Sequence, residues 1–420
     1  MKDPRTIAYD LLSQVMLDHA YANLALKNGL YGLEEQDKSL ITAIVYTTLR
    51  YQPATRALWL PLVSKAPKPK IAVLLDMSVT QLVHLDKLPA YAVVDESVKL
   101  AKRRFPEASG MVNAVLRQIA SDPHRQPIGS DDLETKALSY ALPRWIYALW
   151  VKQLGETIAD QLAEALLEEA PLCARINPLK IDPTIILGDP RIRQGALVPT
   201  AVYGELAWLT TEWFKNGQLI IQDEASQLVS TFTEVKPNQR VLDLCSAPGS
   251  KSTAMAALMN NTGSILACDV SAPRLKLVDQ QAQRLGVTNL STCVLDGTTV
   301  HQQNLEPFDV VLVDAPCSGL GVIRHKPDIK VHLTPSVLDE LVVLQRRLLD
   351  SACEVVKPGG TLVYSTCTIN TKENKAQITA FMAHHPTYEL VDEKQILPQD
   401  YGTDGFYMAK LRRLDANVVE

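Results

Sequence analysis

The apolar positions of this chain change period along its length, and each change marks a different kind of structure. Ile7, Leu11, Leu12, Val15 and Met16 recur at helical spacing, as do Leu40, Ile41, Ile44, Val45 and Leu49, with Thr48 among them. Met111, Val112, Val115, Leu116 and Ile119 repeat the pattern. Residues three and four apart share one face of a helix, so residues 1–130 are expected to form an all-α domain. Its end is the stretch Ser121 to Ser130, S-D-P-H-R-Q-P-I-G-S, whose two prolines and glycine read as a linker. Residues 131–220 mix periods. Leu133 to Leu167 predicts amphipathic helices, one opened by Pro143 ahead of Trp145 and Trp150. Cys173 to Asn177 predicts a short strand stopped by Pro178, and Trp208 and Trp213 read as packing residues. A small α/β connecting domain is expected there.

From residue 221 onward, short apolar runs alternate with helical stretches. Strands are expected at Gln239–Leu244, Gly263–Asp269, Ser291–Asp296, Phe308–Asp314 and Thr361–Thr368. Helices are expected at Lys251–Met259, Arg274–Leu285 and Val337–Val356. Such alternation predicts a doubly wound, mostly parallel Rossmann-like sheet over residues 221–420. Tyr388–Val391 and Gly405–Leu414 add two strands, read as an edge hairpin.

In open α/β sheets, ligands bind beyond the carboxyl ends of the strands, so the residues found there carry the candidate chemistry. Val310 to Leu320 reads V-V-L-V-D-A-P-C-S-G-L, a buried strand ending in Asp314 and followed by Cys317. Thr361 to Thr368 reads T-L-V-Y-S-T-C-T and brings Cys367 to a second strand end. Two thiols and a carboxylate in one cleft suit covalent catalysis. The first strand runs into D-L-C-S-A-P-G-S-K, Asp243 to Lys251. This is neither G-x-G-x-x-G nor a P-loop, yet a tight turn at a helix N-terminus can meet a carboxylate with backbone N–H groups. Asp269, Asp296 and Asp314 end later strands, and an acid at the second strand end suits ribose hydroxyls. A ligand with a ribose, a cation and no phosphate fits this set; S-adenosylmethionine is one.

Composition narrows the class. At 420 residues, with 46% hydrophobic and 21% charged, the chain reads as a soluble globular protein of several domains. No apolar run is long enough for a membrane span, and M-K-D-P-R-T-I-A-Y-D lacks the core of a signal peptide. Seven scattered cysteines with no C-x-x-C pair fit reduced thiols in a cytoplasm, with no metal expected. The net charge of −5 hides an asymmetry: residues 1–130 hold 16 Lys+Arg against 12 Asp+Glu. Arg50, Arg56, Lys65, Lys68 and Lys70 lie in an acid-free stretch, and Lys102, Arg103 and Arg104 form a second cluster. Both are candidate phosphate contacts; the alternative is a solvated helix face.

The motifs D-L-C-S-A-P-G-S-K, D-A-P-C-S-G and Y-S-T-C-T together resemble the RNA 5-methylcytosine methyltransferases of the Nop2/Sun family. Gln222 to Ser226, Pro327-Asp328, Glu373-Asn374 and Asp404-Gly405-Phe406 extend the resemblance. The N-terminal part, with Asn113-Ala114-Val115-Leu116-Arg117, is similar to NusB-type RNA-binding domains. Two positions depart from the family's C-A-A-P-G-G-K, Ser246 and Ser250, both small. The resemblance implies a class I methyltransferase fold, with Cys245, Ser246, Ala247, Pro248, Gly249, Ser250, Lys251, Asp269, Asp296 and Asp314 lining an S-adenosylmethionine site. Arg274 is a weaker candidate there.

Carbon 5 of cytosine is a poor nucleophile until a thiolate adds to carbon 6 and makes the ring an enamine. On the residues alone, Pro316-Cys317 points to Cys317 as that nucleophile, by analogy with DNA cytosine methyltransferases. The resemblance instead assigns attack to Cys367 and product release to Cys317, with Asp314 activating the base. It implies a cytosine of small-subunit (16S) ribosomal RNA as substrate and no obligate protein partner. A transfer-RNA or DNA cytosine methyltransferase, or a catalytically silent RNA-binding assembly or antitermination factor, is the competing reading.

Overall fold

The computed structural model describes residues 3–204 and 207–415 and contains two compact units. The first runs to Glu169 and also takes in Ile323–Leu333; the second holds Ala170–Val322 and the chain from Thr334 onward.

The first unit is helical, as expected. Its helices are α1 (Pro4–Leu17), α2 (Ala22–Gly29), α3 (Glu35–Trp59), α4 (Pro69–His84), α5 (Ala90–Arg104), α6 (Ser109–Ser121), α7 (Asp132–Ser139), α8 (Arg144–Leu154) and α9 (Glu156–Leu167). Asp3 caps α1 by accepting from the Thr6 N–H, with Pro4 in the first turn where its missing N–H costs nothing. The apolar faces read from sequence meet in one core: Leu12, Val15, Ile41, Ile44, Leu49, Val112 and Leu116 are all buried together. Helix α4 is central, buried without a break from Ile71 to Gln81. Compactness groups the chain differently from the three-part division at residues 130 and 220, because α7 packs on α3. The linker Ser121–Ser130 ends a helix without ending the packing. Its Ser130 N–H and hydroxyl are held by Glu134, and its Gly129 N–H by Thr135.

The second unit opens with a four-stranded antiparallel sheet of β1 (Cys173–Ile176), β2 (Ile192–Gln194), β3 (Ala201–Gly204) and β4 (Leu219–Ile221), in the order β2-β3-β1-β4. Helices α10 (Pro183–Leu187) and α11 (Glu212–Lys215) flank it, and Trp208 is buried in its core with Ala174, Ile176 and Leu219. Helix α12 (Glu224–Phe232) then leads into the large sheet. Its strands are β5 (Arg240–Asp243), β6 (Ser264–Asp269), β7 (Leu290–Val294), β8 (Phe308–Asp314), β9 (Val356–Thr366), β10 (Tyr388–Ile396) and β11 (Phe406–Arg413). They lie in the order β10-β11-β9-β8-β5-β6-β7. Strands β5 to β9 pair in parallel, and β11 and β10 join antiparallel, the edge hairpin read from the sequence. Helices α13 (Ser250–Leu258), α14 (Ala272–Leu285), α16 (Pro335–Cys353) and α17 (Lys375–His384) connect them, while α15 (Ile329–His332) counts with the first unit. The chain proceeds from β5 through β6 to β7, then returns to lay β8 on the other side of β5. That reversal opens a crevice beyond the ends of β5 and β8, where such sheets bind ligands. Among the described residues, no helix is long and apolar enough to cross a membrane.

Candidate active site

Strands β8 and β9 are parallel neighbours with Asp314 opposite Ser365, so the loops that follow them leave the sheet side by side. The Ala315 N–H donates to the Ser365 carbonyl at 2.8 Å, keeping the two chains in step as they exit. Three residues on from Asp314 stands Cys317, and just past Thr366 stands Cys367; their sulfurs lie 3.3 Å apart. Gly321 tightens the arrangement. Its N–H donates to the Cys367 carbonyl and its own carbonyl accepts from Gly405. A Cβ at Gly321 would stand 2.0 Å from the Gly405 oxygen, so only glycine fits.

Charge is distributed unevenly around the two thiols. Lys251, in the first turn of α13, pairs with Asp314 at 2.7 Å and lies over the Phe406 ring. Burial alone would pull the Lys251 ammonium down, but Asp314, with Cys367 and Asp243 nearby, holds it above the ordinary lysine value. Asp314 also accepts from the Ser365 hydroxyl at 2.8 Å. The Cys317 thiol is pushed well up by its hydrogen bond to Cys367, by burial and by the Glu373 carboxylate. Lys251 thus sets a cation beside Asp314, and the Glu373 charge adds to the upward push on Cys317.

The loop from Asp243 to Lys251 forms a cradle between β5 and α13. The Ser246 N–H and hydroxyl both donate to the Cys268 carbonyl, at 2.8 and 3.0 Å. The Ala247–Pro248 peptide is cis, and Gly249 caps α13 with φ of 100°. A Cβ at Gly249 would come within 3.0 Å of Val278, which explains why glycine stands there. Arg274 donates to the Ala247 carbonyl at 2.8 Å and pairs with Asp269 at 3.3 Å, tying the loop to the end of β6. Asp269 also accepts from the Ser271 N–H at 2.9 Å. Asp243 is sealed in; burial pushes its carboxyl up to about 7 despite the Ser252 hydroxyl. Its other oxygen is buried without a partner. The Cys245 thiol is pushed well up, first by burial and then by the charges of Asp243, Asp314 and Asp269. Asp296 is exposed and caps the turn Gly297–Gln302 through the Thr298 N–H and hydroxyl. An open crevice, acids at successive strand ends and a glycine turn shaped for close approach fit a cationic nucleoside.

The structure thus gathers Cys317, Cys367, Asp314 and Lys251 into one group, and Cys245, Asp243, Asp269 and Arg274 into the adjoining cradle. Lys251 was read from sequence as part of the cofactor loop, and its ammonium pairs with Asp314. Two further residues had no role read from the sequence, although Glu373-Asn374 belongs to the resemblance. Glu373 braces both thiol loops from beneath, through Ser318 and Asn370. Arg175 of β1 donates to the Ser250 carbonyl at 2.6 Å and to Thr253, anchoring the start of α13 to the small sheet.

The basic residues of the first unit divide. Arg56 and the Trp59 indole both donate to the buried Asp76 carboxylate, Arg50 pairs with Glu169, Arg104 with Asp10, and Arg103 donates to Thr6. Lys65, Lys68, Lys70 and Lys102 are exposed.

Fold and site define a class: a methyltransferase with a Rossmann-like sheet and an attached helical domain. The family model described as 16S rRNA methyltransferase RsmB/F matches residues 230–412, and the NusB family model matches residues 2–121. A Bacillus subtilis (strain 168) protein named "Probable ribosomal RNA small subunit methyltransferase B" is 35% identical, over 97% of this chain and 98% of its own. The ribosomal RNA small subunit methyltransferase B of Vibrio cholerae is 33% identical over 97% of both chains. The crystal structure of PH0851 superposes with a TM-score of 0.83 at 26% identity, over 98% of this chain and 99% of that one. The chain belongs to the RsmB/F family of 16S rRNA methyltransferases and carries an N-terminal NusB domain.

Proposed function

We propose that this enzyme methylates carbon 5 of a cytosine in small-subunit ribosomal RNA, through a covalent bond between Cys367 and the base. The observation that carries this reading is the pair of thiols 3.3 Å apart beside the Lys251–Asp314 ion pair. S-adenosylmethionine would be held by the Asp243–Lys251 loop with Asp269 and Asp296, and supplies a methyl group activated by a sulfonium. The target base leaves its stack to reach the strand ends. Cys367 then adds to carbon 6, its thiolate favoured by the Lys251 cation. Asp314 and Lys251 meet the polar edge of the ring, where a proton or hydrogen bond at nitrogen 3 draws electrons away from carbon 6. After methylation Cys317 takes the proton from carbon 5 and hands its own to the departing Cys367 sulfur, 3.3 Å away. The ring regains its double bond, the Cys367–carbon bond breaks, and the thiol pair then returns one proton to water. Cys317, set 3.3 Å from the leaving sulfur, serves this release. The helical domain, read as residues 1–130 with its exposed lysines, binds the RNA, and a cytoplasmic protein is consistent with free thiols.

The test is methyl transfer from labelled S-adenosylmethionine to 16S RNA, transfer RNA and DNA, followed by nucleoside analysis. Label in 5-methylcytosine from 16S RNA alone is expected. Label in another nucleoside, or equal transfer to the other two nucleic acids, would overturn the reading.

A further inference from the structure

Glu373 is fully buried, yet among the described residues every group that bonds its carboxylate is neutral. One oxygen accepts from the Ser318 N–H at 2.8 Å and the Gln345 amide at 3.0 Å. The other accepts from the Ser318 hydroxyl and from the Asn370 amide at 2.9 Å, with the Thr368 hydroxyl 3.5 Å away. Ser318 follows Cys317 in the chain and Thr368 follows Cys367, and their hydroxyls lie 2.8 Å apart. A single carboxylate therefore spans the residues immediately after both thiols. The Gln345 amide also donates to the Pro316 carbonyl at 2.9 Å, so the peptide on the other side of Cys317 is tied to the same group. The Glu373 carbonyl accepts from the Tyr364 hydroxyl at 2.7 Å, which fixes the brace to β9 itself.

A buried carboxylate with no cationic partner is costly to the fold unless hydrogen bonds satisfy it. An amide could brace a loop with less desolvation, so the retained charge asks for a second consequence. That consequence is the field. Glu373 accepts from the N–H and hydroxyl of Ser318, next to Cys317, and its charge raises that thiol, while the Lys251 cation pairs with Asp314 at the end of β8. The two sulfurs, 3.3 Å apart, are close enough to share a proton, and the Glu373 charge opposes its loss from Cys317.

We propose that Glu373 is the positioning residue that assigns the two cysteines their roles. It holds the Cys317 loop in place for release and keeps the proton of the pair on Cys317. This rests on the reading of Cys367 as nucleophile and Cys317 as the releasing group. The substitution Glu373→Gln keeps the shape and several hydrogen bonds and removes the charge. With the full-length enzyme, S-adenosylmethionine and 16S RNA, it is expected to lower kcat about 10- to 100-fold, the scale at which misplacing a reacting group acts. KM for RNA should stay unchanged, and a protein–RNA adduct that survives denaturation should build up, because release slows more than attack. A purely structural role predicts a lower melting temperature, parallel changes in kcat and KM, and no adduct; that result overturns the proposal, as does unaltered turnover. Should the glutamine enzyme fail to fold, Ser318→Ala breaks the same brace from the loop side, and adduct accumulation is again the expected result. Cys317→Ala, run alongside, separates the two levels. Adduct with Cys317→Ala but with neither brace variant overturns the role of Glu373 alone. No adduct with Cys317→Ala overturns the division of labour and this proposal together.

Discussion

Each unit of this protein contains a carboxylate paired with a cation, and the two pairs do different work. In the helical unit, Asp76 is completely enclosed and accepts from Arg56, from the Trp59 indole and from Gln52. Nothing about it faces outward, so the pair locks α3 to α4. In the sheet unit, Asp314 keeps 26% of its side chain exposed, pairs with Lys251, and stands at the end of β8 ahead of Cys317. Both pairs join residues distant in the chain. The difference lies in what adjoins them: a sealed core in one case, a crevice at strand ends in the other. An ion pair serves chemistry only where one side of it opens on a place for substrate.

The same substitution at both sites should therefore separate activity from stability. Asp314→Asn is expected to lower turnover by about 10²- to 10⁴-fold, the range for losing a positioned acid–base group. Melting temperature should move little. Retained turnover would remove Asp314 from the chemistry. Asp76→Asn should do the reverse. Loss of one member of a buried, hydrogen-bonded pair is expected to cost about 2–4 kcal/mol of stability in denaturant titration. The folded fraction should keep its methyl-transfer rate. A stable Asp76→Asn protein would mean that the pair contributes little to the helical core.

Two smaller effects sharpen the contrast. Asp269→Ala should weaken S-adenosylmethionine binding by about 1.5–3 kcal/mol in calorimetry, the range for hydrogen bonds to a charged group. Because Arg274 pairs with Asp269 and holds the Ala247 carbonyl, Arg274→Ala should weaken it less. The reverse order would make Arg274 the direct contact. Smallest of all, exchanging the exposed Lys65, Lys68 and Lys70 for glutamate should weaken RNA binding and flatten its salt dependence. An equal change on substituting Arg104, already paired with Asp10, would place the RNA elsewhere.

These contrasts also show what could be read from the chain. Cys317 and Cys367 were recognisable as strand-end residues because the apolar runs before them are short and unambiguous. Their approach follows once β8 and β9 are parallel neighbours. The acids at strand ends were visible for the same reason, since a strand's end is a local property. Partnerships between side chains were not. Arg56 and Arg104 read as phosphate contacts from their local clustering, but each has an acid within the fold, Asp76 and Asp10. Lys251 sits in the cofactor loop by sequence, and its pairing with Asp314 is seen only in the fold. Glu373 lies 55 residues beyond Ser318, and no local pattern joins them. The segment Ile323–Leu333 belongs with the helical unit although it follows a strand of the sheet. Lys330 explains this: its buried ammonium donates to the carbonyls of Arg50 and Ala141. That anchor is invisible without the fold.

The central claim is the division of labour between two thiols 3.3 Å apart, and a denaturing gel tests it most directly. The enzyme, its Cys317→Ala and its Cys367→Ala variants are each incubated with small-subunit RNA and S-adenosylmethionine. A slow-migrating protein–RNA band should accumulate with Cys317→Ala, where attack proceeds and release stalls, and should be absent with Cys367→Ala. A band that forms with Cys367→Ala and not with Cys317→Ala would contradict the account and make Cys317 the nucleophile.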